Sequence, residues 1–412
     1  MTAALPPLSR PDQCVVIVGA GLAGVRTAEG LRGAEFRGRV VLVGDEPHAP
    51  YDRPPLSKAV LRKVGQEHEI KLLPAEELQG LDIELRLGRA AVAINRDSRI
   101  LTLSDGEQIG YDRLVLATGS SARSLPQLPP GAARVHYLRG LDDALALRGA
   151  LDGARRVAII GAGVIGLEVA AAAVNPHRAV TVIEAADRVM GRAASPPVAR
   201  FIAEQHAQAG VDVRLSTTVV RVDDDGESLV LTLSDGQMLA CDLVVVGVGV
   251  KPNDALARAS GLEVQPGGVV VDGHGMSSDP AVYAAGEVAV HFNTLHGRHD
   301  RQETWAHAAA HGEHVGRALV LPGAAYEELA SYWTDQYDFT LNVLGAPIGE
   351  VDVMRGQPAD GKFVVFHLIG GMVAGVSALN AMRDLRAARG LIGTAVDPVL
   401  LGDPASDLRA LV

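Results

Sequence analysis

The sequence predicts an α/β protein in which two parallel-sheet domains of one design are followed by a small carboxy-terminal α+β domain. The first observation is a duplicated segment, VVIVGAGLAGVRTAEGL at 15–31 and VAIIGAGVIGLEVAAAA at 157–173. Each copy reads as a buried strand, a glycine-rich turn and a helix of small residues. The second is the hexapeptide LTLSDG, which occurs at 101–106 and again at 231–236. The third is the alternation of the strand-like runs FTLNVLG, GKFVVFHLIG and MVAGVSAL near the end of the chain, before a closing helical segment.

The composition is that of an ordinary globular chain with two or three domains. It has 412 residues, 48% of them hydrophobic and 21% charged. No apolar run approaches the roughly 20 residues that cross a bilayer, so we expect no membrane span. The opening MTAALPPLSRPDQ lacks the features of a secretory signal, and we expect a loose tail and a cytoplasmic protein. The net charge of −11 disfavours non-specific nucleic-acid binding.

The hexapeptide repeats set the expected domain boundaries. In each copy a strand enters an Asp-Gly turn and is followed by a second strand, DRLVLATGSS or CDLVVVGVGV, which predicts two hairpins. The later segment VYAAGEVAV, at 282–290, has no glycine-rich start of its own and is predicted to return to the first domain. The predicted domains are 11–121 together with 250–327, then 122–249, then 328–412.

Both glycine-rich turns match GxGxxG, with the glycines Gly19, Gly21 and Gly24 in the first copy and Gly161, Gly163 and Gly166 in the second. Such glycines permit a tight turn, a close approach of backbone to a pyrophosphate, and close packing of helix on strand. Each copy is followed by a strand that ends in an acid, Asp45 or Glu184, near the spacing at which a carboxylate binds ribose hydroxyls. The sequence therefore predicts two Rossmann-like dinucleotide-binding domains in a glutathione-reductase-like arrangement.

Glu184 also bears on the choice of nucleotide. A carboxylate there would repel the extra phosphate of NADPH, so NADH is favoured. Arg188 and Arg192 follow closely and could soften this preference, contact the pyrophosphate or lie in solvent.

Longer motifs carry a resemblance over nearly the whole chain. They are VGDEPHAPYDRPPLSK, YDRLVLATG, HYLRGLDDA, GVGVKPND, ETW and YWTDQY. With the glycine loops, they resemble the NADH-dependent ferredoxin reductases of aromatic-ring dioxygenase and haem-thiolate monooxygenase systems. The resemblance implies FAD in the first domain, NADH in the second, and a carboxy-terminal domain that covers the flavin and helps to receive a [2Fe–2S] ferredoxin.

The resemblance also implies individual contacts. Those to FAD are Gly19, Gly21, Ala23, Gly24, Asp45, Arg53, Lys58, Ala91, Arg139, Glu287 and Trp305. Those to NADH are Gly161, Gly163, Gly166, Glu184 and Arg192. Glu287 stands where the family usually has aspartate, so its side chain is one methylene longer.

Lys58 and Glu168 are the predicted catalytic residues. From local sequence alone, a lysine in a loop and a glutamate on a solvent-facing helix turn, two residues after the third glycine, would both be solvated. The resemblance instead implies that Lys58 lies near flavin N5 and pairs with Glu168 beside the nicotinamide. After ETW, the segment AHAAAHGEHVGRALV is predicted to be a helix whose amino terminus stabilises the reduced flavin, with Trp305 against the ring or simply in the core.

The three histidines of that helix, His307, His311 and His314, fall on one face at i, i+4 and i+7. We expect no metal there and interpret them as solvated or hydrogen-bonded side chains, because no carboxylate constellation accompanies them.

The predicted function is an FAD-dependent reductase that moves electrons from NADH to a [2Fe–2S] ferredoxin. The alternatives are another NADH-oxidising flavoprotein, such as an oxidase, peroxidase or disulfide reductase, and an NADH-responsive binding protein. Oxidases and disulfide reductases commonly place a cysteine beside the flavin, and PYDRPPLSK contains none. We expect a monomer or homodimer, and either type of terminal oxygenase remains possible. Two basic groups could receive an acidic ferredoxin: Arg53, Lys58, Arg62 and Lys63, or Arg383, Arg386 and Arg389.

Overall fold

The computed structural model describes residues 5–293, 298–321 and 323–411. They form two compact units, each assembled from three stretches of chain. Unit 1 comprises the described residues of Met1–Asp52, His68–Ser121 and Val250–Ala330. Unit 2 comprises those of Arg53–Glu67, Ala122–Gly249 and Ser331–Val412. Arg53–Glu67 was predicted to lie in the first domain but belongs to unit 2, and the three-domain division itself stays a prediction.

Up to residue 122 the strands are β1 (Cys14–Val18), β2 (Arg39–Val43), β3 (Glu84–Arg86), β4 (Ala91–Asn95), β5 (Ile100–Leu103), β6 (Gln108–Gly110), β7 (Arg113–Leu116) and β8 (Ser120–Ala122). The helices of this stretch are α1 (Leu22–Gly33), α2 (Ala59–Arg62) and α3 (Ala75–Gly80). The strands up to residue 246 are β9 (Val135–Tyr137), β10 (Arg156–Ile160), β11 (Ala179–Ile183), β12 (Val211–Arg214), β13 (Val219–Asp224), β14 (Leu229–Leu233), β15 (Met238–Cys241) and β16 (Leu243–Val246). The corresponding helices are α4 (Leu141–Gly153), α5 (Val164–Ala173) and α6 (Pro196–Gln208).

The next strands are β17 (Val250–Pro252), β18 (Val264–Gln265), β19 (Gly268–Val271), β20 (Val282–Ala284), β21 (Ala289–Asn293) and β22 (Arg298–Asp300), with helices α7 (Ala255–Ala259) and α8 (Trp305–Ala318). The last stretch holds β23 (Ser331–Gln336), β24 (Phe339–Gly345), β25 (Val351–Gln357), β26 (Lys362–Ile369) and β27 (Met372–Leu379), with helices α9 (Met382–Ala388) and α10 (Pro398–Gly402). Within the described ranges, no helix combines the length and the apolar character needed to cross a membrane.

Unit 1 is built on a parallel sheet of order β20-β7-β1-β2-β3. Its central strand, β1, is buried from Val15 to Val18, as expected for a strand covered on both faces. The outer strand β20 pairs with β7 in parallel, so this strand of the segment after 250 belongs to the sheet of unit 1.

Unit 2 contains a second parallel sheet, of order β12-β11-β10-β16-β9. The two sheets match strand for strand, with β10, β11 and β16 in the places of β1, β2 and β7. They differ at the outer strand, which β9 supplies from before the glycine loop in unit 2 and β20 supplies from far downstream in unit 1. The predicted α/β class with duplicated parallel folds is confirmed.

The two hairpins exist, but their second strands differ from the prediction. After the Asp-Gly turn, β5 pairs with β6 and β14 pairs with β15, in small antiparallel sheets. The runs RLVL and LVVV form β7 and β16 instead, and each joins its central parallel sheet. The reason is burial: these four-residue runs are buried throughout, which suits a strand with both faces covered.

The carboxy-terminal part of unit 2 is an antiparallel sheet of order β23-β24-β27-β26-β25, and helices α9 and α10 close it. Phe201 of α6 packs edge-on against Phe339 and Phe363 of this sheet, with ring centroids 5.6 and 5.4 Å apart. The predicted α+β character of this region is confirmed.

In unit 1, helices α1 and α8 lie in close contact through glycines. A side chain at Gly30 would meet the carbonyl oxygen of Glu313 at 2.3 Å, and one at Gly316 would meet that of Thr27 at 2.1 Å. The expectation of a loose amino-terminal tail is wrong for its described part. Leu8 is 1% exposed, and its N–H donates to the carbonyl of Leu319 at 2.9 Å, because its apolar side chain has a place in the core beside α8.

Candidate functional site

The glycine loop of unit 1 has two closed positions and one open position. Gly19 adopts φ +120°, and a Cβ there would lie 2.1 Å from the carbonyl oxygen of Ala117. A Cβ at Gly24 would lie 1.9 Å from the carbonyl oxygen of Gly19. At Gly21, which caps the start of α1 with no side-chain hydrogen bond, nothing lies within 4 Å. The loop therefore leaves its backbone open at the helix amino terminus, where a phosphate would bind.

Unit 2 repeats this arrangement. A Cβ at Gly161, whose φ is +103°, would lie 2.4 Å from the carbonyl oxygen of Gly247, and one at Gly166 would lie 2.1 Å from that of Gly161. Gly163, at the start of α5, again faces open space. Two independent loops with the same open glycine fit two dinucleotide cofactors.

Glu184 lies beside the second loop. It directly follows β11, and its carboxylate accepts the N–H of Ala162 at 2.7 Å and that of Ala186 at 2.8 Å. This contact ties the acid to the glycine turn. It leaves a negative charge where a nucleotide ribose would be expected.

Asp45 is placed differently from its predicted counterpart. In unit 2, the N–H of Glu184 donates to the carbonyl of Arg214. In unit 1, the matching bond runs from the N–H of Gly44 to the carbonyl of Arg86, so Gly44 occupies the position that corresponds to Glu184. A Cβ at Gly44 would meet that of Ala20 at 2.8 Å. Asp45 therefore stands one residue later and is exposed. Its contact with FAD stays a prediction.

The predicted arginines after Glu184 take separate positions. Arg188 donates to the carbonyl of Gly191 at 2.8 Å, so it stabilises its own turn. Arg192 is exposed, and its guanidinium lies 3.6 Å from a Cβ placed at Gly249.

Unit 1 brings Ala23 and Glu287 to one place. A Cβ at Gly286 would lie 2.5 Å from that of Ala23, so the turn that carries Glu287 packs on the first turn of α1. The Glu287 carboxylate lies 3.6 Å from the guanidinium of Arg301. The longer side chain is thus partly neutralised by a cation.

Trp305 begins α8, as predicted. Its indole N–H donates to Asp52 at 2.7 Å, and Thr304 caps the helix by accepting the N–H of His307 at 3.2 Å. The ring is half-buried and oriented by a carboxylate.

The three histidines of α8 are hydrogen-bonded, to Tyr326, to the N–H of Gly286 and to the carbonyl of Gly273, which agrees with the second of the two expectations. His307 and His311 are buried and His314 is half-buried, so the alternative of solvated side chains does not hold for the first two.

His307 and His311 are both 0% exposed and stack 5.0 Å apart, with His291 of β21 5.1 Å from His307. Burial lowers the pKa of His307 to about 3 and holds that of His311 well below its ordinary value. Near-parallel rings do not point their nitrogens at a common centre, and no group of three or more candidate metal ligands occurs among the described residues.

Lys58 and Glu168 form an ion pair in unit 2. The ammonium lies 2.9 Å from the Glu168 carboxylate, and their side chains are 18% and 1% exposed. Local sequence alone predicts that both side chains are solvated, and the structure shows that neither is. A turn over Pro54–Ser57 orients Lys58, whose ammonium also donates to the carbonyl of Pro54 at 3.1 Å.

Two hydroxyl groups complete the surroundings of Glu168, and neither was predicted from the sequence. Ser57 donates to one carboxylate oxygen, and Thr334 of β23 donates to the other at 2.6 Å. The available signal was in YWTDQY, where Thr334 and Gln336 alternate on one strand face and are both buried. Paired polar residues on an inward strand face indicate a partner in the interior.

The remaining predicted FAD contacts fall in different places. Arg53 and Arg139 come together in unit 2, where the Arg53 guanidinium donates to the carbonyl of Arg139 at 2.5 Å. Ala91 begins β4 in unit 1 and pairs with Leu103. Their roles stay predictions.

Both cysteines are free, as predicted. Cys241 is 1% exposed, and burial raises the pKa of its thiol to about 12. Burial also raises the pKa of the half-buried Cys14 thiol. Neither thiol is a reactive one.

The comparisons with known proteins agree with this geometry. Residues 13–312 match the family model described as pyridine nucleotide-disulphide oxidoreductase, and residues 331–412 match the model described as reductase C-terminal. The ferredoxin–NAD(+) reductase component of the anthranilate 1,2-dioxygenase system of Burkholderia cepacia is 42% identical over 405 residues, which cover 96% of this chain and 98% of the relative.

Two solved structures are also similar. The ferredoxin reductase for the CYP199A2 system of Rhodopseudomonas palustris has a TM-score of 0.93 and 36% identity, covering 97% of this chain and 100% of that one. The covalent putidaredoxin reductase–putidaredoxin complex gives a TM-score of 0.91 and 36% identity, covering 98% of each chain. This chain therefore belongs to the pyridine nucleotide-disulphide oxidoreductase family, and within it to the ferredoxin–NAD(+) reductases.

Proposed function

We propose that this chain oxidises NADH with bound FAD and passes the electrons singly to a [2Fe–2S] ferredoxin. The observation that carries the proposal is the ion pair, at 2.9 Å, between the half-buried Lys58 and the buried Glu168, where the segment that holds Lys58 contains no cysteine. Oxidases and disulfide reductases commonly carry a thiol beside the flavin. The segment PYDRPPLSK of this chain has no cysteine that could correspond to that thiol. The names of the relatives support ferredoxin as the acceptor.

The residues of each unit have distinct tasks in this proposal. In unit 1, the open backbone at Gly21, with Ala23 and Glu287 beside it, would hold FAD. In unit 2, the open backbone at Gly163 and the carboxylate of Glu184 would hold NADH. When bound, FAD accepts two electrons as hydride and releases them one at a time.

Lys58 and Glu168 supply orientation and charge. An ammonium fixed by a buried carboxylate and by the carbonyl of Pro54 is held in one position and needs no reorganisation when a reacting group arrives. We place this pair at the site of hydride transfer. Trp305, held by Asp52, would face the flavin.

The cellular location and the oligomeric state are part of the same proposal. We propose a cytoplasmic monomer or homodimer. The relatives serve both a dioxygenase system and a cytochrome system, so they favour neither terminal enzyme.

Anaerobic and aerobic turnover test the proposal. The FAD-loaded protein is mixed with NADH and each [2Fe–2S] ferredoxin encoded in the same genome, and cluster bleaching and oxygen uptake are followed together. We expect one ferredoxin to be reduced at a rate that far exceeds oxygen uptake. Oxygen uptake that accounts for all NADH consumed, with no ferredoxin reduced, would establish an oxidase instead.

A further inference from the structure

A line of hydrogen-bonded side chains in unit 2 runs inward to Glu168. Tyr337 OH lies 2.8 Å from Nδ1 of His206, and Nε2 of His206 lies 2.8 Å from Oε1 of Gln336. Nε2 of Gln336 donates to Thr334 at 3.1 Å, and the Thr334 hydroxyl donates to Glu168 at 2.6 Å.

The direction of every bond in this line follows from its inner end. An ionised carboxylate only accepts, so Thr334 gives it its single hydroxyl proton and must accept from Gln336. The amide oxygen of Gln336 then faces His206 and must receive a proton from Nε2. Nδ1 of His206 therefore carries no proton and accepts a hydrogen bond from the hydroxyl of Tyr337. The charge on Glu168 therefore selects one tautomer of His206 across three intervening bonds.

Burying the polar side chains of this line costs desolvation free energy, which suggests that they have a function. His206 and Thr334 are 0% exposed and Gln336 is 1% exposed. Burial lowers the pKa of His206, so its ring stays neutral, as the line requires. Apolar residues of similar shape would fill this space without the desolvation cost of these three polar side chains. The polar side chains, unlike apolar ones, orient the Thr334 hydroxyl as a hydrogen-bond donor to Glu168, the carboxylate that holds Lys58.

We propose that His206 is a positioning residue for hydride transfer, acting through Gln336 and Thr334 to fix the Glu168 carboxylate and hence the Lys58 ammonium. The inference rests on the proposed function for the role of Lys58. The tautomer of His206 does not depend on that function.

The first test is therefore spectroscopic. Nitrogen-15 NMR of the histidine side chains, in the FAD-loaded protein without NADH, should show His206 neutral with its proton on Nε2. Thr334→Val should shift that proton's resonance, and Ser377→Ala should not. Ser377 is a matched control, because it is 1% exposed and its hydroxyl bonds a different buried histidine of the same unit, His367, at 2.7 Å. A proton on Nδ1 of His206 would overturn the proposal.

The second test is kinetic. In rapid mixing with NADH, Thr334→Val should lower the limiting rate of flavin reduction about tenfold, since small misplacements at a reacting centre are costly. His206→Phe should lower it about threefold by the same reasoning. The apparent Kd for NADH should stay at the parental value, Thr334→Ser should restore the rate to within about twofold, and Ser377→Ala should react like the parent.

The outcomes separate the two proposals. A parent protein that NADH cannot reduce removes the proposed function, and the NMR result still decides the bond directions. A parental rate in Thr334→Val overturns the positioning role. A parental rate in His206→Phe beside a slow Thr334→Val overturns it for His206, because the effect then ends at Thr334.

Discussion

Glu184 has two tasks at the scale of a single residue. Its carboxylate holds the glycine turn by accepting the N–H of Ala162, and its charge faces the expected nucleotide. Glu184→Gln separates them, since its amide oxygen can still accept the N–H of Ala162, while its NH2 group can no longer accept that of Ala186. We expect the kcat/KM ratio of NADPH to NADH to rise about tenfold as repulsion of the extra phosphate is removed.

The matched control is Asp187→Asn, which removes one exposed negative charge three residues away. Steady-state kinetics with both nucleotides should show little change in its ratio. Equal ratios in Glu184→Gln and the parent would mean that Glu184 only supports the turn.

The buried ion pair makes a second residue-scale prediction. Lys58→Met leaves the Glu168 carboxylate, 1% exposed, without its cation, and should lower the free energy of unfolding by about 3 kcal/mol. Adding Glu168→Gln should recover most of that loss in denaturant titrations. The limiting rate of flavin reduction should stay low in the double variant. Full recovery of the rate would show that the charge of Lys58 has no part in hydride transfer.

Single residues were predictable where the signal was local. The two glycine triplets and Glu184 follow from spacing along one strand and one turn. The sequence did not identify three of the buried polar residues, Ser57, Thr334 and His206. Their hydrogen-bond partners lie 111 to 166 residues away along the chain. Nothing in a serine or threonine taken alone indicates a distant carboxylate.

At the scale of elements, the contact of α1 with α8 depends on glycines. Gly316→Ala places a Cβ 2.1 Å from the carbonyl oxygen of Thr27 and should lower the free energy of unfolding by about 2 kcal/mol. Gly33→Ala is the matched control on α1. Nothing lies within 4 Å of a Cβ there, so it should raise stability by about 0.5 kcal/mol. Thermal and urea unfolding measure both, and a neutral Gly316→Ala would mean that the helices can separate at no cost.

Elements were predictable in kind but less so in pairing. The helix after ETW begins at Trp305, and β24, β26 and β27 of the carboxy-terminal sheet fall within the predicted runs. The other two strands of that sheet, β23 and β25, were not predicted. The hairpin partners were wrong, because a buried run such as RLVL is compatible with both a hairpin and a parallel sheet. Only the presence of β1 beside it, a contact about 100 residues distant, selects the sheet.

The whole molecule carries a net charge of −11, which opposes approach of an acidic ferredoxin. Arg383, Arg386 and Arg389 are exposed in and just after α9 and could offset it locally. Arg386→Glu with Arg389→Glu should slow ferredoxin reduction at low salt and weaken its salt dependence, while ferricyanide reduction stays unchanged.

The control for total charge is Arg200→Glu with Arg221→Glu, two exposed arginines elsewhere in unit 2. Stopped-flow reduction over a range of salt concentrations distinguishes the pairs. Equal slowing by both pairs would assign the effect to net charge and not to this surface.

The architecture of the whole chain was predictable because duplication repeats its signal. The grouping of Arg53–Glu67 with unit 2 was not, since that stretch is continuous in sequence with the first fold. Its place follows from contacts with distant residues, such as the ion pair of Glu67 with Arg148 at 2.8 Å.

The central claim is transfer of single electrons from NADH to a ferredoxin, and an anaerobic titration tests it most directly. A known amount of NADH is added to catalytic FAD-loaded protein with excess oxidised ferredoxin, and reduced clusters are counted by absorbance and electron paramagnetic resonance. Each NADH carries two electrons and each cluster accepts one, so the account predicts two reduced clusters for every NADH oxidised. NADH oxidised without cluster reduction, or no oxidation while the ferredoxin is present, would contradict it.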